Sequence, residues 1–171
     1  MLLDITIDEI QMGVIGLLII ASIWLLIEFK GMKNEIQKRV DIKHETLRLR
    51  LQAYERLTIF AERASLKNLV TRTPYSGANV VEVQLALLEA LRTEYEHNVS
   101  QQIYVTPEMW KALTNLKDQN AYIINQLAGS LSSQASGIEL SKRILEYSAM
   151  KDSELNLIVL DALQFEAKRV F

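Results

Sequence analysis

The sequence lacks cysteine altogether and is poor in histidine, proline and glycine, with two, two and six of these in 171 residues. Without cysteine, the chain cannot form a disulfide scaffold, a thiolate zinc site, an iron–sulfur cluster or a cysteine nucleophile. Few helix-breaking residues, together with frequent Leu, Glu, Gln, Lys and Ala, argue against a β-sandwich and predict helices. The formal net charge of −2 gives no general basis for nucleic-acid binding. These features predict an all-α protein.

One segment near the N-terminus is long, apolar and uncharged. Residues 12–27 read MGVIGLLIIASIWLLI, and adding Ile10 and Gln11 gives 18 residues, at the short end of the ~17–25 that a helix needs to cross a bilayer. A buried core helix is the alternative. A cleaved signal peptide is disfavoured, because acidic rather than basic residues precede the run and no small-x-small site follows it. We expect a short N-terminus (residues 1–11) and a transmembrane helix (residues 12–29).

The charges that flank this segment predict its orientation. All charged side chains in residues 1–29 are acidic, whereas residues 30–72 carry 11 Lys/Arg and 5 Asp/Glu. Because basic flanks stay in the cytoplasm, the N-terminus should face outward and the rest should be cytoplasmic. The basic residues nearest the apolar run could also face lipid head groups or an acidic partner. They are Lys30, Lys33, Lys38, Arg39 and Lys43.

The remainder is expected to be a basic juxtamembrane helix (residues 30–70) packed with a helical bundle (residues 80–171), about four to five helices in all. A weak heptad in the first helix suggests a seam for self-association. The seam residues are Val40, His44, Leu47, Leu51 and Tyr54. In the bundle we expect helices over about 80–104, from Thr106–Pro107 to about 128, from Ser136 to about 150, and from about 154 to the C-terminus. The last should pack through Leu157, Leu160, Leu163 and Val170.

The most unusual stretch is EYEHNVSQQIYV, residues 94–105. On one continuous helix Glu94, Asn98 and Gln102 would form a row, with both amides inside an apolar stripe and Asn120 as a candidate partner. Three interpretations remain open: a buried polar cluster that fixes helix register, a surface that another protein recognises, or a catalytic or ligand site. The candidate residues are Glu94, His97, Asn98, Gln101, Gln102, Tyr104, Trp110 and Asn120.

A metal site is a weaker alternative at the same place. Glu94-x-x-His97 has the spacing that di-iron bundles use, but such sites need a second copy and two further carboxylates. The remaining histidine, His44, follows Asp41 at that spacing rather than a glutamate. There is no Gly-x-Ser-x-Gly nucleophile turn and no credible histidine–nucleophile pair. We therefore expect neither an enzyme nor a cofactor.

Residues 94–110, EYEHNVSQQIYVTPEMW, resemble a family of small Bacteroidota membrane proteins of unknown function, the DUF7935 type, as does YERLTIFAER at 54–63. Its motif matches Glu94, Glu96, His97, Asn98, Ser100, Gln101, Gln102, Tyr104, Thr106 and Trp110. The resemblance implies a bacterial inner-membrane location and no known activity. The leading hypothesis is a non-enzymatic scaffold or accessory subunit that binds membrane or cytoplasmic proteins or itself. The alternatives are a metal- or ligand-binding bundle around Glu94 and His97, and a sensor of anionic lipid surfaces that uses the basic helix.

Overall fold

The computed structural model describes residues 7–74 and 77–169, and within these ranges it is helical with no strand, which confirms the all-α prediction. The chain divides into two units, Met1–Thr46 and Leu47–Phe171. The α-helices are α1 (Ile7–Ala64), α2 (Leu66–Arg72), α3 (Val80–Asn98), α4 (Pro107–Gly129), α5 (Gly137–Tyr147) and α6 (Ser153–Lys168). A 3₁₀ segment, Val99–Tyr104, follows α3, and a π segment, Ser148–Asp152, joins α5 to α6.

The first unit consists of the N-terminal part of α1. The most apolar 18-residue window of this helix has a mean hydropathy of 2.4, and none of that window is buried. Large side chains such as Leu18 and Trp24 are 62% and 64% exposed. α1 is thus the one described helix that is long and apolar enough to cross a membrane, and its apolar segment is not part of a core within this chain.

The first helix ends earlier than residue 70, the end expected from sequence. α1 stops at Ala64, and Ser65 begins α2 by accepting a hydrogen bond from the backbone N–H of Asn68 at 3.4 Å. This side-chain cap satisfies a donor at the start of a helix that would otherwise be unpaired. Leu66 and Leu69 are buried as a result, so α2 adds apolar residues to the core.

The core of the second unit is formed by the C-terminal part of α1 together with α2 to α6. The largest side chains that are fully buried are Leu57, Phe60, Leu66, Leu69, Leu87, Leu91, Leu113, Leu116, Ile124, Leu140, Ile144 and Leu163. Burying each of these stabilises the fold by about 1.5–3 kcal/mol before the entropy of ordering is subtracted. The helix that carries the start of the polar motif, α3, packs in this core through Leu87 and Leu91.

The starts of α4 and α5 are confirmed as predicted. Thr106 accepts a hydrogen bond from the N–H of Met109 at 3.2 Å, and Pro107 occupies the first turn of α4. Ser136 accepts from the N–H of Glu139 at 3.3 Å. At the start of α3, Asn79 and Glu82 form a reciprocal capping box, with bonds of 3.0 and 2.9 Å. Local capping chemistry thus sets these boundaries.

The C-terminal helix packs in part through the residues predicted for it. The π segment, Ser148–Asp152, stands where a break was expected. Leu163 is buried and Leu160 half-buried as expected, but Leu157 is 55% exposed, and Asn156 and Val159 lie in the interior instead. Val170 lies outside the described residues.

Candidate functional site

The motif does not form one continuous helix, which corrects the expected helix over 80–104. α3 ends at Asn98 and the chain tightens into the 3₁₀ segment. Since a 3₁₀ helix has three residues per turn, the row expected at intervals of four is broken after Asn98. Asn98 is 6% exposed, Gln102 is exposed, and Gln101 takes the buried position at 8%. The prediction was right for Asn98 and wrong for Gln102.

Arginines on α1 bind successive parts of this motif. Arg50 donates to the carbonyl of Tyr104 at 3.3 Å, and Arg56 donates to the carbonyl of His97 at 3.0 Å. About two turns further along, Arg63 Nε donates to Oε1 of Glu94 at 2.7 Å. Carbonyls at the end of a helix lack intrahelical partners, so the cationic side chains satisfy them. This part of the basic run holds the motif within the same chain.

Glu94 is the centre of an ion cluster that joins three helices. Its Oε1 accepts from Arg63 of α1 and, at 3.2 Å, from Arg72 of α2. The Glu94 side chain is 18% exposed, against 47% for Arg63 and 33% for Arg72. Burial alone would raise the pKa of Glu94, but the hydrogen bonds and charges of Arg63 and Arg72 outweigh it and hold the pKa below its ordinary value. The Glu94 carboxylate therefore stabilises the packing of α3 against α1 and α2.

A second polar cluster lies where the motif meets α4, and no local sequence pattern indicates its central residue, Glu166. Glu166 of α6 accepts a hydrogen bond from the backbone N–H of Thr106 at 3.0 Å. On the facing helix, Arg50 donates to the hydroxyl of Tyr54 at 3.3 Å. Burial raises the pKa of Tyr54, Arg50 opposes this, and the negative charge of Glu166 adds to it. The 60 residues that separate Glu166 from Thr106 explain why spacing could not reveal the contact.

Asn120 is fully buried as expected, but its partner is not Asn98. Its amide donates to the carbonyl of Ala64 at 2.8 Å, whereas the Asn98 amide donates to the carbonyl of Glu94, also at 2.8 Å. Asn120 thus satisfies a carbonyl at the end of α1. Of the predicted buried polar residues, Asn98 and Asn120 are buried, and each donates to a carbonyl near the end of a helix.

Trp110, the last candidate of the motif region, belongs to an aromatic cluster. Its ring lies 5.3 Å from that of Tyr95, which in turn meets Phe60 edge-on at 6.0 Å. The Tyr95 hydroxyl forms a 3.0 Å hydrogen bond with the hydroxyl of Thr114. Trp110 is half-buried. It packs against Tyr95 near the C-terminal end of α3 and does not line the groove between α1 and α3.

The geometry does not favour the metal interpretation. His97 is exposed, and Glu94 already binds two arginines. Among the described residues, no group of three His, Cys, Asp or Glu side chains lies close enough to hold a metal ion.

The remaining candidates lie elsewhere on α1. Lys30, Lys33, Lys38, Arg39 and Lys43 are exposed residues of the first unit. Arg39 pairs with Glu35 at 3.2 Å, an exposed contact one turn away. In the proposed seam, Val40 is 39% exposed but Tyr54 is only 3% exposed and packs in the core of its own chain. Tyr54 therefore cannot serve a contact with a second copy, which corrects the seam at that residue.

Between α1 and α3 the motif lines an open groove of about 490 Å³. Its walls are Arg56, Ile59, Arg63, Thr93, Glu94, His97 and Asn98. Three of the residues singled out from the sequence thus meet in one place, Glu94, His97 and Asn98. Gln101, Gln102, Tyr104, Trp110 and Asn120 are not part of its lining.

Comparison with known proteins gives one match. The model of DUF7935, a family of unknown function, matches residues 2–170. No curated protein and no solved structure matches the chain. Because the match covers almost the whole sequence, including the motif, both arginine-bound clusters and the apolar segment, the chain belongs to the DUF7935 family.

Proposed function

We propose that this protein is a non-enzymatic, single-pass inner-membrane protein that acts as a scaffold or accessory subunit through its helical unit. The observation that carries the proposal is the unburied apolar window of α1, with mean hydropathy 2.4, in the same chain as a unit with a core of its own. Exposure of an apolar surface of that size to water is unfavourable, and insertion of the helix into a bilayer would cover it.

The charge pattern supports a cytoplasmic location for the helical unit. The first basic residues after the apolar segment are Lys30 and Lys33, and every charged side chain before Lys30 is acidic. Lysine and arginine beside a transmembrane helix stay on the cytoplasmic side. The N-terminus would then face outward, and the helical unit would meet other proteins at the inner surface of the membrane.

The open face of the helical unit supports a binding role. Arg50, Arg63 and Arg72 hold the motif against α1 and α2 through hydrogen bonds, and the groove of about 490 Å³ lies beside these contacts. A surface whose side chains are already ordered loses less entropy when it binds a partner. We therefore place the partner-binding activity on the helical unit rather than on the apolar segment.

Membrane insertion is tested by extraction of membranes with alkaline carbonate. The full chain should stay in the membrane pellet. Changing Leu18→Arg together with Ile19→Arg should move it into the supernatant, because each arginine in the centre of a spanning helix costs about 2.5–3.5 kcal/mol. Leu85→Arg is the control: Leu85 is 61% exposed, as Leu18 is at 62%, but it lies on α3. Equal extraction of all three proteins would refute insertion.

The scaffold role is tested by purifying a tagged full chain from native membranes in mild detergent. A second protein present in fixed stoichiometry is the expected result. Recovery of the chain alone, at the mass of a monomer in its micelle, would contradict the role as an accessory subunit.

A further inference from the structure

The α1–α3 groove has an unequal charge balance. Arg56 and Arg63 line the groove, and Arg72 binds Glu94 of its lining. Two carboxylates lie there, those of Glu94 and of Glu89, whose Oε1 is 3.5 Å from the hydroxyl of Thr93. Arg63 and Arg72 share the carboxylate of Glu94. Among the residues that the structure describes, Arg56 has no ion pair and donates to the carbonyl of His97 at 3.0 Å. The negative end of the α3 dipole offsets only about half a charge, so a positive excess remains.

The groove also has an ordered floor and an apolar wall. Asn98, 6% exposed, lies at the floor and is held by its bond to the carbonyl of Glu94. Ile59 on the α1 wall is 51% exposed, and across from it Thr93 presents a hydroxyl side chain from α3. The volume of about 490 Å³ is within the range of ~300–1,000 Å³ that ligand sites occupy. One charged contact and one apolar contact can therefore be made side by side.

We propose that the α1–α3 groove binds an acidic segment of a partner protein, with an Asp or Glu carboxylate at Arg56 and a neighbouring apolar side chain on Ile59. Charge complementarity identifies the occupant: guanidinium groups pair with carboxylates through two parallel hydrogen bonds. A phosphate dianion would need more convergent donors, and the end of α3 presents carbonyls rather than the N–H groups of a helix start. This proposal rests on the proposed function and names the chemistry of the partner.

The test uses the full chain in detergent micelles and a library of random peptides displayed on phage. Selected peptides should be enriched in Asp or Glu next to Leu, Ile or Phe. The best of them, labelled with a fluorophore, then serves as the probe in an anisotropy titration. Arg56→Glu should weaken its binding at least about tenfold, because a like charge then meets the carboxylate.

Two further variants make the result specific. Thr93→Glu adds a negative charge to the α3 wall without removing the bond from Arg56 to His97, so it should weaken binding similarly even if Arg56→Glu disturbs folding. Lys111→Glu, an equal charge change at an exposed position of α4 outside the groove, should leave binding within twofold. Circular dichroism of each variant confirms that the helices are intact.

Several outcomes would overturn the proposal. These are selected peptides without acidic residues, failure to select any peptide, or equal binding to the wild type, Arg56→Glu and Thr93→Glu proteins. Displacement of the probe by inorganic phosphate at constant ionic strength would assign the groove to a small anion instead. Loss of probe binding in phosphatidylglycerol nanodiscs, but not in phosphatidylcholine ones, would assign it to lipid. If Arg56→Glu still copurifies with its partner from native membranes, the groove is refuted and the scaffold role stands.

Discussion

Glu94→Gln is the substitution that examines the motif most closely. It keeps the size of the side chain and removes the charge that Arg63 and Arg72 share. The two guanidinium groups then face each other without a counter-charge, and the link between α1, α2 and α3 is weakened. The expected result is a lower free energy of unfolding.

The exposure of the three side chains sets the magnitude. Exposed ion pairs contribute up to about 1 kcal/mol, and hydrogen bonds to charged groups about 1.5–3 kcal/mol. Glu94 is 18% exposed, but Arg63 and Arg72 are 47% and 33% exposed, so solvent screens both pairs. We expect a loss between these limits, about 1–2 kcal/mol.

The assay is urea unfolding of the full chain in detergent, followed by the fluorescence of Trp110 in a Trp24→Phe background. Trp110 packs on Tyr95 and reports on the helical unit. Glu96→Gln is the matched control: Glu96 lies two residues away, and within the part of the chain that the structure describes its ion pair is with Arg92 of the same helix, with side chains 60% and 70% exposed. It should produce no measurable change.

The pH dependence gives the sign of the effect. The pKa of Glu94 is lowered from 4.5 in the folded protein, so its stabilising contribution is complete above the unfolded-state pKa and is lost as the pH falls through the folded-state pKa. The difference between wild type and Glu94→Gln should therefore be constant near neutral pH and shrink below about pH 4.5. Equal stability of the Glu94→Gln and Glu96→Gln proteins, or a difference that does not change with acid, would refute the reasoning.

Further predictions concern the packing, each measured in the same unfolding assay. Gly137→Ala should lower the free energy of unfolding by about 1–3 kcal/mol, because a Cβ there would lie 2.3 Å from Cγ2 of Val83 and 3.0 Å from a backbone oxygen. Gly129→Ala is the control: its Cβ would meet nothing within 4 Å, so the change should be neutral or slightly stabilising. Equal effects of the two substitutions would contradict the packing at Gly137. Asn120→Ala should lower the free energy of unfolding by about 1–3 kcal/mol, because the buried carbonyl of Ala64 then lacks its hydrogen bond. A neutral result would contradict the role of Asn120 at the end of α1. Leu163→Ala should lower the free energy of unfolding by about 2–5 kcal/mol. Leu157→Ala, at an exposed position, should lower it by about 0.5 kcal/mol or less. Comparable losses at the two positions would contradict the structure and restore the packing expected from sequence.

Predictions from sequence were right where the determinant is local. Thr106, Pro107 and Ser136 set helix starts through contacts within one turn, and the structure has them as predicted. The apolar run likewise requires only its own composition to be recognised as a candidate span. Local chemistry and hydropathy are legible in a single sequence.

Predictions failed where the buried face of a helix was misassigned. After the switch to 3₁₀ geometry at Asn98, Gln101 is buried in place of Gln102, and in α6 the interior residues are Asn156, Val159 and Leu163 rather than Leu157. A pattern of 3.6 residues per turn does not register a change to three residues per turn, and leucine positions alone do not identify the buried face of α6.

The candidate site was half predictable for a related reason. Glu94, His97 and Asn98 stood out as polar residues beside an apolar stripe, and all three line the groove. Their partners did not stand out, because an arginine on a basic helix resembles any solvated charge until its distant acceptor is known. The long-range bonds of Arg56 to His97 and of Arg63 to Glu94 appear only in the folded chain.

The most direct test of the account is site-specific photo-crosslinking of the full chain in its native membranes. A photoreactive residue replaces Ile59 in the groove, or Tyr122, which is 65% exposed on α4 and outside the groove. The account predicts one discrete protein adduct from position 59, none of the same mass from position 122, and loss of that adduct when Arg56→Glu is added. The same adducts from both positions, or none from position 59 in a chain that carbonate does not extract, would contradict it.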